Sequence, residues 1–193
     1  MGQRILVTGP ARSGKSEWAE ALAHQRQQAG QQVTYIATAA TNPDDTEWQA
    51  RIQQHQQRRP PTWRCQEVPI ALAETIQQAT PKDCLLIDSL GTWLANVLEQ
   101  DEPVWMATQH HLCQALEQTQ SDVILVAEET GWGVVPSYPI GRLFRDRLGT
   151  VTRNVGAIAD ETYLVTAGHI LNLTQFATPL SKALAEAESP PQT

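Results

Sequence analysis

Apolar residues along the chain gather into short, nearly continuous runs: Ile5-Leu6-Val7-Thr8, Val33 to Ala37, Cys84 to Ile87 ending in Asp88, and Val123 to Ala127. Runs of this length, rich in branched side chains and lacking a polar alternate face, read as parallel strands covered on both sides. Between them lie stretches with helical spacing. One runs from Ser16 to about Gln28 and stops at Gly30. A second starts at Asp44 or Asp45 and reaches about Gln57, with Trp48 and Ile52 on one face, until Pro60-Pro61 ends it. Trp63 to Val68 alternates as a strand does, and Ile70 to Gln78 reads as a helix. Helices follow over Leu90 to Leu98, Val104 to Gln118 (after a turn at Asp101 to Pro103) and Ile140 to about Ala159. Thr162 to Val165 and Ile170 to Leu173 read as closing strands, and the Ala, Glu and Pro residues from Thr178 onward as a weak helix and a frayed tail. Alternation of strand and helix predicts an α/β fold with a mainly parallel sheet, in one domain over 1–177 with 178–193 as a tail.

The first strand leads into Gly9-Pro10-Ala11-Arg12-Ser13-Gly14-Lys15-Ser16, the spacing G-x-x-x-x-G-K-S between a strand and a helix. Gly9 and Gly14 are expected to turn the backbone with positive φ and bring its N–H groups near an anion, at the positive end of the helix that follows. Lys15 would reach the outer phosphates of a nucleoside triphosphate and the Ser16 hydroxyl would sit on Mg²⁺. Asp88, at the end of a buried strand, is the natural second Mg²⁺ contact; capping the helix at Leu90 is the other role its place allows.

Arg51-Ile52-Gln53-Gln54-His55-Gln56-Gln57-Arg58-Arg59-Pro60 places Arg51 and His55 four apart, on one helix face, with Arg58 near the same side. A lone histidine near a helix end is ordinarily a solvated or capping group. Three arginines around one imidazole instead make an anion site and disfavour the imidazolium, which keeps the ring a neutral nucleophile. Glu128 and Glu129 also end a strand, beside the Gly131 loop, where they could hold metal, position an acceptor or cap a helix. His24, His110, His111 and His169 read as surface or packing residues, and Trp18 and Trp93 as core.

Composition narrows the partners. The net charge is −7, and only Arg51 to Arg64 is locally basic, which argues against nucleic acid. Cys65, Cys84 and Cys113 match no metal or redox spacing and read as reduced, partly buried thiols of a cytoplasmic protein. The early first strand leaves no room for a signal peptide, and no apolar run is long enough to span a bilayer.

Taken with these motifs, the sequence to about Leu173 resembles the bifunctional adenosylcobinamide kinase / adenosylcobinamide-phosphate guanylyltransferase family of cobalamin biosynthesis. The resemblance rests on Leu6-Val7-Thr8-Gly9 with Ala11 to Ser16, Tyr35-Ile36-Ala37-Thr38, Arg51-Ile52 with His55, and Arg59-Pro60. It continues in Trp63, Glu67, Asp88, Glu129 with Gly131, Gly133, Val135 and Pro136, Phe144-Arg145-Asp146, and Ala159-Asp160-Glu161. It implies a RecA-like P-loop NTPase fold, helices on both faces of the sheet, and a homotrimer. It also implies two reactions: transfer of the γ-phosphoryl of ATP or GTP to the aminopropanol hydroxyl of adenosylcobinamide, then transfer of GMP from GTP to the resulting phosphate. By position, His55 would be the guanylylated histidine, and its helix is expected to swing onto bound nucleotide. The guanine nucleotide would contact Gly9, Pro10, Ala11, Arg12, Ser13, Gly14, Lys15, Ser16, Ala37, Thr38, Ala39, Gln56, Gln57, Arg58, Arg59, Glu67 and Asp88. Gln54 stands where many relatives have a second histidine, and Glu128 and Thr152 where asparagine is common. Without the resemblance, the residues alone also allow a plain small-molecule kinase or a nucleotide-binding switch.

Overall fold

The computed structural model describes residues 2–40 and 59–188. Seven strands form one sheet: β1 Arg4–Gly9, β2 Gln32–Ala37, β3 Arg64–Glu67, β4 Asp83–Asp88, β5 Asp122–Glu128, β6 Glu161–Thr166 and β7 His169–Asn172. Their order is β3-β2-β4-β5-β1-β6-β7, parallel throughout except for β7, which returns antiparallel to β6. This is the α/β architecture with a mainly parallel sheet that the alternating elements predict.

Alternate side chains of the central strands enter two separate cores. Ile5, Val7, Val33, Tyr35, Cys84, Leu86, Ile124 and Val126 pack against α1 (Lys15–Gln28) through Ala19, Leu22 and Ala23. Leu6, Ile36, Leu85, Ile87, Val123 and Leu125 face the other way, into a larger core. That core is closed by α2 (Leu72–Gln78), α3 (Leu90–Val97), α4 (Glu102–Gln118) and α5 (Pro139–Ile158). Among the described residues helices therefore cover both faces, as expected, but unequally. Trp93 is fully buried, while Trp18 is half-buried and stands edge-on to Tyr163.

Local chemistry sets the ends. The chain leaves α1 through Gly30 at φ 95°, with the Gly30 N–H donating to Gln27 O at 2.9 Å and that of Gln31 to Arg26 O at 3.1 Å. α4 begins two residues before the expected Val104, because Asp101 accepts the Val104 N–H (3.0 Å) and Pro103 is suited to a first helical turn. The last strand stops at Asn172 rather than Leu173. Its side chain accepts the Gln175 N–H at 3.1 Å and starts a short helix, α6 (Leu173–Phe176), that the apolar pattern does not announce. Leu180–Glu188 forms α7. No helix of the described residues is long and apolar enough to cross a membrane.

Candidate active site

The loop from Gly9 to Ser16 joins β1 to α1. Gly14 takes φ 93°, as expected, but the second left-handed residue is Arg12 at φ 59°, not Gly9. Gly9 is needed for a different reason: a Cβ there would lie 2.2 Å from the Val165 carbonyl oxygen. It permits close approach of β1 to β6 rather than an unusual turn. Successive N–H groups in such a loop, ending at a helix N-terminus, form a concave anion site. Lys15 is buried and folds back to donate to Pro10 O at 3.3 Å, and the Ser13 hydroxyl is buried without a protein partner. Both are groups that a phosphate chain would satisfy.

Strand register collects the other positions along the same edge. Glu67 pairs with Ala37, and Ala37 with Asp88, so the last residues of β3, β2 and β4 lie side by side. β5 separates β4 from β1, with Glu128 beside Gly9, and the Glu129 N–H donates to Gly9 O at 2.9 Å. Asp88 does not cap α3. Ser89 does that, in a reciprocal box with Thr92. Asp88 instead accepts the Tyr35 hydroxyl at 3.0 Å, and the Arg59 guanidinium lies 3.3 Å over the centre of the Tyr35 ring. Burial, reinforced by the Asp88 charge, pushes the Tyr35 hydroxyl far above its ordinary range, so it remains a donor. Tyr35 thus links two predicted site residues. Its place in an apolar strand run disguised that role.

Thr38, expected at the nucleotide, is fully buried and committed elsewhere: its hydroxyl donates to Ser89 O (2.7 Å) and accepts the Ser89 N–H (2.8 Å). Ala39 follows it, and Glu67 is exposed. His55, Gln56, Gln57 and Arg58 lie outside the described residues, and so does the helix expected to swing. Glu128 resolves toward capping: its carboxylate accepts the Ser89 hydroxyl and, at 2.9 Å, the Gly91 N–H at the start of α3. Glu129 accepts the Gly131 N–H within its own loop. Of the thiols expected to be partly buried, Cys84 is fully buried and Cys113 partly, but Cys65 is exposed; all three are free.

No group of three or more His, Cys, Asp or Glu that could hold a metal ion occurs among the described residues. The Ser16 hydroxyl and the Asp88 carboxylate are an oxygen donor set too small for a resident ion. They suit a Mg²⁺ that arrives on a nucleotide, with phosphate oxygens and water completing its shell. Beside the loop a cavity of about 600 Å³ opens along α5, lined in part by Thr8, Glu129, Arg145, Thr152 and Arg153.

Residues 5–173 match the family model for cobinamide kinase / cobinamide phosphate guanyltransferase. The chain belongs to that family. The bifunctional adenosylcobalamin biosynthesis protein CobP of Pseudomonas aeruginosa is 39% identical over 86% of this chain and 94% of its own. CobU proteins of the same description from Salmonella typhimurium and Escherichia coli are 38% and 37% identical, each over 85% of this chain and 96% of theirs. The cobinamide kinase / guanyltransferase family therefore accounts for nearly the whole length. A solved structure from Pyrococcus horikoshii OT3 covers 93% of both chains with a TM-score of 0.53 at 9% identity, a likeness of fold alone. The phosphate loop, the Asp88 strand end and the sheet order belong to the P-loop α/β class.

Proposed function

We propose that this chain phosphorylates adenosylcobinamide with ATP or GTP and then converts the phosphate to adenosylcobinamide-GDP by way of a guanylyl-histidine at His55. The observation that carries the reading is the row of strand ends beside the Gly9–Ser16 loop, within a family match that spans residues 5–173 and so includes His55. In the first reaction the loop N–H groups and Lys15 hold the phosphates, and their positive charge offsets the negative charge on the transferring γ-phosphoryl. Ser16 and Asp88 would hold the nucleotide's Mg²⁺, which draws charge from the phosphate oxygens.

In the second reaction the neutral His55 imidazole attacks the α-phosphorus of GTP. Its nitrogen forms the new P–N bond, pyrophosphate leaves with the electron pair of the broken P–O bond, and the phosphoramidate is then attacked by the phosphate of the acceptor. Arg51, Arg58 and Arg59, near His55 in sequence, disfavour the imidazolium and keep the ring nucleophilic. Incubation with GTP labelled at the α-phosphate tests this. Acid-labile label is expected on the wild-type protein and absent from His55→Ala. An unlabelled wild type, or a labelled variant, would overturn the covalent route.

A further inference from the structure

The cavity beside α5 has a chemistry that the phosphate loop does not explain. It is lined at the end of β5, the strand beside β1, where the Glu129 N–H donates to Gly9 O at 2.9 Å. From there it runs along α5 for a volume of about 600 Å³. Its lining mixes Arg145, Arg153, Glu129 and Asp146 with Thr8, Thr152 and leucine side chains. The hydroxyls of both threonines are buried and have no protein partner. A buried hydroxyl without a partner forfeits a hydrogen bond, and a ligand group that reached it would restore that bond. A lining of charges, hydroxyls and apolar side chains suits an amide-bearing chain that ends in a hydroxyl or a phosphate.

Glu129 is held in place where it lines this cavity. Its carboxylate accepts the Gly131 N–H, and Arg145 from α5 donates to the Gly131 carbonyl, so the loop that aims the carboxylate is fixed to the cavity wall. Among the described residues no further hydrogen bond or ion pair reaches that carboxylate.

Building on the two-reaction reading, we propose that this cleft takes the amide-bearing arm of the cobinamide acceptor and that Glu129 is the general base of the phosphorylation step. The acceptor oxygen forms a bond to the γ-phosphorus as its proton passes to the Glu129 carboxylate. The bond from the γ-phosphorus to the bridging oxygen breaks, and the nucleoside diphosphate leaves with that electron pair. In the guanylyl transfer the acceptor is a phosphate, largely without a proton to remove at neutral pH. Glu129 therefore serves the first reaction and not the second, while Arg145 and Arg153 offset the acceptor's phosphate charge in the second.

Glu129→Gln is the discriminating variant, because its amide oxygen still accepts the Gly131 N–H and keeps the loop. Phosphorylation of cobinamide and transfer of GMP to supplied cobinamide phosphate are measured separately across pH. The expected result is a fall of about 100-fold or more in kcat for phosphorylation. GMP transfer stays within about threefold. Phosphorylation within about threefold of wild type, or a parallel fall in both reactions, overturns the assignment. Thr152→Val should raise KM for cobinamide about fivefold or more with KM for GTP unmoved; an unchanged KM for cobinamide places the acceptor elsewhere. A wild-type protein that phosphorylates cobinamide but transfers no GMP defeats the two-reaction reading alone, and the phosphorylation arm still decides Glu129.

Discussion

Burial gives single side chains of this protein properties that their types do not have in water. The Cys84 thiol lies fully inside the α1-side core, and burial, with the Asp122 charge adding to it, pushes its pKa up to about 12 from 9.0. Burial and the neighbouring Glu161 carboxylate likewise push the Tyr163 hydroxyl up to about 12 from 10.0. Both groups are neutral acids whose proton the unfolded chain surrenders first, so above about pH 9 the native state binds more protons than the unfolded one. Stability is then full below that pH and falls as pH climbs toward about 12. At pH 10 Cys84 alone should cost on the order of 1 kcal/mol. Urea midpoints at pH 8 and 10 check this. Wild type should lose stability between them, while Cys84→Ala, weaker at both because of the cavity it leaves, should show a shallower drop. An equal drop in both proteins would mean that the thiol is not the group responsible. Neither thiol pKa nor hydroxyl pKa was legible in the sequence beyond the membership of Cys84 in an apolar run.

Elements owe their positions to a few polar ties at the sheet's C-terminal edge. Glu128 reaches from β5 to the start of α3, where it holds the Ser89 hydroxyl and the Gly91 N–H, and Ser89 and Thr92 complete the cap. At the far end of α3, buried Arg147 of α5 donates to the carbonyls of Leu98 (2.9 Å) and Gln100 (3.0 Å) and pairs with Glu102. α3 is thus pinned at both ends by other elements. Glu128→Ala should cost about 1–2 kcal/mol in the urea midpoint, since helix N–H groups lose their acceptor, and Glu128→Gln clearly less. Equal losses for the two would show that charge, not hydrogen bonding, is what matters. The contrast with Glu129, one residue on, could not be read from sequence. Which carboxylate caps depends on the helix that crosses the strand end, and a run such as Val123 to Ala127 announces a buried parallel strand without saying which helix meets its end. The strands themselves and the Gly9–Ser16 loop were legible because continuous apolar runs and glycine spacing are local signals. The antiparallel direction of β7, the short α6 and the Tyr35–Asp88 bond were not, because each depends on a partner distant in the chain or on one cap residue.

At the scale of the whole molecule, most of the large apolar side chains exposed among the described residues fall in two stretches far apart in sequence. Trp132, Val134, Val135, Tyr138 and Ile140 stand out around the β5–α5 connection, with Val134 95% exposed. Ile170, Leu171, Phe176, Leu180 and Leu184 do so from β7 to α7, with Phe176 71% exposed. A two-fold dimer buries one self-complementary patch, whereas a cyclic trimer joins unlike patches, each copy offering one to the neighbour before it and another to the neighbour after it. Two such stretches, distant in sequence, could supply the unlike patches of the second arrangement, which is also the homotrimer that the family resemblance implies. Light scattering of the purified chain should therefore give three times its 21.3 kDa mass. Val134→Asp and Phe176→Asp, acting on opposite sides of one interface, should each shift that mass toward the single chain. Their pairing is the sharper test: a mixture of the two variants buries a charge at every contact but one that joins the intact patches, so it should recover two-chain species and no closed ring. A single-chain mass for the wild type, or trimers that survive both substitutions, would place the assembly on other surfaces.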